Sequence, residues 1–98
     1  MGLEWEPVAP IRSPRFDAGG IQVGSLLLTI GGYAAIDEVL EVVEFYDMAR
    51  GAWLPPLALP EDAPHSHHAV ATDGTRYAYV VAGQRGTWCS PAVPRAYV

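Results

Sequence analysis

The feature that most constrains this chain is a repeat inside it. Trp5 is followed by Pro7 and Pro10; Trp53, 48 residues on, is followed by Pro55, Pro56 and Pro60. Gly24 precedes the apolar run Leu26–Ile30, and Gly74, 50 residues on, precedes Tyr77–Val81. The first run ends in Gly31-Gly32 and the second in Ala82-Gly83, 51 residues on. Three landmarks recur in one order at nearly one spacing. A period near fifty means stacked supersecondary units, each too small to bury its own apolar face.

The elements of each unit read as strands. Leu26–Ile30 is short and continuously apolar, as a strand buried on both faces would be. Phe16–Val23, interrupted by Gly19-Gly20, is the strand before it, across the turn Val23-Gly24-Ser25. His67–Thr72 and Tyr77–Val81 flank Asp73-Gly74-Thr75, and Asp-Gly is a signal for a two-residue hairpin turn. The stretch Ala34–Ala49 reads two ways. Ile36, Val39, Leu40 and Val43 lie at helical spacing. Against a helix, Asp37, Glu38, Glu41 and Glu44 would repel one another at i, i+3 and i, i+4, and Val39, Val42 and Val43 are β-branched. The repeat favours a strand at about Val39–Tyr46, a turn over Asp47–Gly51 and a strand at Ala52–Leu54; a helix over 34–49 stays as the alternative.

Composition removes several functions. The chain has 98 residues, ten Gly and nine Pro, spread as punctuation between short elements. Its six basic residues are all arginine, and its net charge is −5, the wrong sign for a sequence-independent grip on nucleic acid. No apolar run approaches the ~20 residues that span a bilayer. The acidic start Leu3-Glu4-Trp5-Glu6 is unlike a signal peptide. The single cysteine, Cys89, cannot form an internal disulfide and leaves the compartment undetermined.

The order of motifs has a known counterpart. A double glycine closes an apolar strand (Ile30-Gly31-Gly32), an aromatic precedes an acid (Tyr46-Asp47), and Trp53 follows six residues later, before a proline-rich link, a small-residue strand and a glycine turn. This resembles the kelch repeat, one four-stranded blade of a β-propeller of the kind found in the central domain of galactose oxidase. The run Pro64-His65-Ser66-His67, then Thr72-Asp73-Gly74, Tyr79-Val80-Val81 and Gly83-Gln84, is similar to plant kelch-repeat proteins. The resemblance implies an all-β fold of antiparallel four-stranded blades. Residues 1–14 would be the outer strand of a preceding blade and its link, 15–56 one full blade, and 57–98 a link and the inner strands of the next. It gives Gly31, Gly32, Tyr46, Trp53, Gly74 and Gly83 structural roles. Ala82 replaces the first glycine of the second pair, and no tryptophan stands at the repeat distance in the second blade; Trp88 comes too soon.

A propeller has four to eight blades, and this chain supplies barely two. An incomplete propeller, a fragment or truncated product, is therefore expected, with self-association through open blade edges. Candidate chemistry is sparse. His65 and His67 on one strand face could share a metal, with Glu61 or Asp62 adding oxygen, but no third ligand has a fixed spacing. Cys89 has no base placed beside it, and the glycine-rich pairs open no helix that could hold phosphate. The acidic stretch 37–47 reads as a solvated blade edge. Arg15 and Arg85, with His65 and His67, are the candidate binding face. The reading is a non-catalytic module that binds a protein or glycan partner through propeller-face loops, with no cofactor. The alternative is a metal-dependent oxidoreductase of galactose-oxidase type using the histidines.

Overall fold

The structure, a computed structural model, describes residues 2–35, 38–61, 63, 66–84 and 96–98. These residues form ten short strands and no helix, so none is long and apolar enough to cross a membrane. The first sheet contains β1 (Gly19–Val23), β2 (Leu26–Ile30), β5 (Val42–Asp47), β6 (Ala52–Trp53) and β7 (Leu57–Ala58). All its pairings are antiparallel, in the order β1-β2-β5-β6, and β7 pairs with the other end of β5. The outer edge is thus one strand position occupied by two pieces, β6 opposite Tyr46–Asp47 and β7 opposite Val42–Val43. Pro55 and Pro56 separate the pieces. Proline cannot donate to a ladder and is tolerated on an edge, where it also discourages unwanted pairing.

A small ribbon of β3 (Tyr33–Ala35) and β4 (Glu38–Val39) lies between β2 and β5 in sequence. The second sheet has the order β10-β9-β8, from β8 (Ala69–Thr72), β9 (Ala78–Val81) and β10 (Ala96–Tyr97), again antiparallel. Across 38–47 the chain is extended, so like charges on its acids never stack at helical spacing.

The two sheets pack face to face. Ile30 and Val43 from the first meet Val80 from the second, with Ile21, Leu28, Phe45, Leu59 and Val70 around them. Each fully buried side chain of this size stabilises by about 1.5–3 kcal/mol. Period-2 alternation selects these residues: Leu28 and Ile30 face the second sheet, Leu27 and Thr29 face away.

Three expectations are corrected. β2 is not buried on both faces: Leu27 is 40% exposed, because no described sheet covers its side. The Asp73-Gly74 turn is not a two-residue hairpin. Thr72 pairs with Ala78, leaving a five-residue loop in which the Asp73 carboxylate accepts the amides of Thr75, Arg76 and Tyr77 at 2.9–3.0 Å. The acidic edge is solvated at Glu38 and Glu41 but not at Glu44, which is 2% exposed.

Candidate binding site

The site is built where the two inner strands begin. Just before β1, Phe16 and Tyr33 exchange both backbone hydrogen bonds, at 3.0 and 2.9 Å. Just before β8, Ser66 and Gln84 do the same, at 3.4 and 3.0 Å. These are equivalent positions in successive repeats. The equivalence extends to backbone conformation. Asp17 and His67 both take the left-handed region, at φ 57° and 54°, as do Gly31 and Ala82 at 60° and 55°. Only a few per cent of non-glycine residues do so.

The close approach of the paired segments explains the second glycine of each pair. A Cβ on Gly32 would lie 2.7 Å from the Phe16 carbonyl oxygen, and one on Gly83 would lie 2.6 Å from that of Ser66. Both are nearer than a Cβ can come to backbone, and both glycines have positive φ. The first position carries no such demand for glycine, since Ala82 adopts the same conformation.

The two segments then meet each other. The amide of His67 donates to the Asp17 carbonyl at 3.4 Å. His67 Nε2 lies 3.5 Å from Asp17 Oδ2, and its Nδ1 hydrogen-bonds Ser66 Oγ at 3.0 Å. Gln84 Nε2 donates to the Tyr33 hydroxyl. Tyr33 stacks on Phe16 with centroids 5.5 Å apart and meets the His67 ring edge-on at 6.2 Å. Tyr33, Ser66 and Gln84 form a floor, exposed by 4%, 0% and 7%, while Phe16, Asp17 and His67 stand above it in solvent. Buried polar groups that are fully hydrogen-bonded hold such a floor rigid.

Ser66, His67 and Asp17 follow the order of a hydrolase relay, but Ser66 Oγ is walled off from solvent, so no substrate carbonyl reaches it. The described residues contain no group of three or more His, Cys, Asp or Glu placed to hold a metal.

Arg15 lies next to this cluster with its side chain turned inward. Its guanidinium pairs with the Glu44 carboxylate, donates to the Gly31 carbonyl at 3.0 Å and, through Nε, to that of Ser13 at 3.2 Å. Both side chains are nearly buried, at 3% and 2% exposure. The charge of Arg15 therefore fastens the segment carrying Phe16 and Asp17 to β5. His65, Arg85, Asp62, Trp88 and Cys89 lie outside the described residues. The sequence did not assign Phe16, Asp17, Tyr33, Ser66, Gln84 or Glu44 to the site. Two signals were available: Tyr33 and Gln84 directly follow Gly31-Gly32 and Ala82-Gly83, and Glu44 sits between Val43 and Phe45 in a strand pattern.

Of the other motif residues, Tyr46 and Trp53 face each other across β5 and β6, edge-on with centroids 5.2 Å apart. Trp53 Nε1 donates to the Ala9 carbonyl at 2.8 Å. That bond ties the extended N-terminal segment to the outer edge of the first sheet. Gly74 occupies the loop between β8 and β9, and its carbonyl accepts the amide of Gly24 at 3.0 Å.

A repeated antiparallel module, with Gly31-Gly32 and Ala82-Gly83 at corresponding strand exits and the Tyr46–Trp53 pair on the outer edge of the first sheet, defines a blade-type repeat protein. The chain belongs to the kelch-repeat family. No family model matches it. It is 33% identical over 96 residues, 98% of its length, to Kelch repeat-containing protein At3g27220 of Arabidopsis thaliana. It is 38% identical over 82 residues, 84% of its length, to Kelch-like protein 34 of Homo sapiens. The chain spans only 22% and 12% of the lengths of these relatives.

Proposed function

We propose that this chain is a non-catalytic kelch-repeat module that binds a protein partner through the face where its inner strands begin. In this reading 15–56 is one full blade, 1–14 belongs to the outer edge of a preceding one, and 57–98 supplies the inner part of the next. The binding face comprises the segments carrying Arg15 and His67, with Phe16 and Asp17 beside them, and His65 and Arg85, outside the described residues, are assigned to it from the sequence alone. One observation carries the reading. Phe16, Asp17 and His67 offer an aromatic ring, a carboxylate and an imidazole to solvent, on a hydrogen-bonded floor that joins two repeats. Binding favours such preorganised groups, because little side-chain freedom is lost on contact.

The test is a displayed peptide library selected on the 98-residue chain. Recovered peptides lose binding when Phe16→Ala and His67→Ala are combined, and keep it with Trp5→Ala, a fully exposed residue of the N-terminal segment. Peptides that bind the double variant as well as the parent would place the interaction elsewhere.

A further inference from the structure

We propose that the outer face of the second sheet docks a second copy of this chain, head to tail, on the far face of that copy's first sheet around Leu27. The repeat itself supplies the geometry. Within one chain, the face of the first sheet carrying Ile21, Leu28, Ile30 and Val43 packs on the face of the second carrying Val70 and Val80. Shifted by one repeat, Ile21 becomes Ala71, Leu28 becomes Tyr79 and Ile30 becomes Val81. Val43 becomes Ala96, since Ala96 pairs with Val81 as Val43 pairs with Ile30. The second sheet thus presents a copy of the face that the first sheet buries, and this copy is open. Tyr79 is 40% exposed and Val81 42%, and Ala71 and Ala96 are exposed beside them.

The receiving face is repeated as well. Val70 corresponds to Gly20, Ala78 to Leu27 and Val80 to Thr29 on the far side of the first sheet. Leu27 is 40% exposed there. Glu44, the neighbour of Thr29, has its charge met by Arg15, so this face brings no unpaired carboxylate under an incoming sheet. One polypeptide therefore carries both halves of a blade-to-blade contact that it already makes internally. Two different faces meet in such a contact, which is heterologous and adds copies until the rotation closes a ring.

Sedimentation of the 98-residue chain and two variants tests this. Val81→Arg damages only the presenting face and Leu27→Arg only the receiving one. The parent sediments above monomer mass and each variant alone as a monomer. An equimolar mixture gives a one-to-one dimer and nothing larger, because each variant retains the face the other has lost. A monomeric parent, variants that keep the parent's mass, or a mixture that stays monomeric each overturns the proposal. Should either arginine prevent folding, judged by circular dichroism, Tyr79→Lys and Thr29→Lys make the same pair with the same expected masses.

Discussion

The amide of Gly24 donates to the carbonyl of Gly74 at 3.0 Å, so the same turn of two successive repeats is joined directly. At the opposite end of the inner strands, Asp17 and His67 are joined in the same manner, backbone to backbone at 3.4 Å. The two modules are thus tied at both ends of β1 and β8, with Ile30, Val43 and Val80 packed between the sheets. This arrangement leads to the following expectations.

Glycine substitutions should separate close approach from backbone conformation. At Gly83 an added Cβ meets the Ser66 carbonyl at 2.6 Å and φ is +108°. At Gly74 φ is +88° but nothing lies within 4 Å. Gly83→Ala should cost roughly 2–4 kcal/mol, strain and a displaced backbone together, and Gly74→Ala only about 1 kcal/mol. Urea unfolding of the two variants measures the difference, and equal losses would contradict the contact at Gly83.

Removing one partner of the buried Arg15–Glu44 pair should be severe. Arg15→Met leaves the Glu44 carboxylate buried without its cation, a loss of about 3–5 kcal/mol. Adding Glu44→Leu should recover most of it, since a buried ion pair replaced by apolar groups is often close to neutral. A double variant no more stable than Arg15→Met would show that the pair is not coupled.

The loop between β8 and β9 should respond to acid. Backbone N–H groups of Tyr77, Arg76 and Thr75, in that order of effect, hold the Asp73 carboxyl below the usual carboxylate range. The unfolded chain therefore takes up the proton first as pH falls. The loop's contribution is whole at neutral pH, and is lost as pH drops below about 4 and passes through the folded value. Carboxyl-carbon NMR titration should place Asp73 below the usual carboxylate range, and Asp73→Asn should remove that part of the acid dependence.

Trp53 should hold the N-terminal segment. Its indole N–H bonds the Ala9 carbonyl, and its ring edge meets Tyr46. Trp53→Phe keeps the ring contact and loses the hydrogen bond, a loss of about 0.5–1.5 kcal/mol. Trypsin should then cut after Arg12 faster than in the parent, with the core strands still protected. An unchanged cleavage rate would mean that other contacts fix the segment.

Much of the backbone plan was legible in the residues. β2 runs over Leu26–Ile30 as the apolar run indicates, and extended chain across 38–47 agrees with β-branched residues and like charges that weaken a helix. The Asp73 loop was misread because Asp-Gly is shared by two-residue hairpins and by loops in which the aspartate side chain gathers amides, and only the pairing of Thr72 with Ala78 separates them. The binding site was less legible. His67 was found, but Phe16, Asp17, Tyr33 and Gln84 are ordinary residues until two repeats are set side by side.

The repeat period, the strand alternation and the glycine pairs are local in origin: they depend on side-chain volume, branching and allowed φ within a few residues, and these the chain's own letters determined. Which acid would be buried, which arginine would face inward and which imidazole would meet which carboxylate were decided only by packing. Arg15 and Glu44 stand 29 positions apart and Asp17 and His67 fifty, and no propensity acts across such distances. The folding of the first sheet brings Arg15 to Glu44, and the docking of one sheet on the next brings Asp17 to His67.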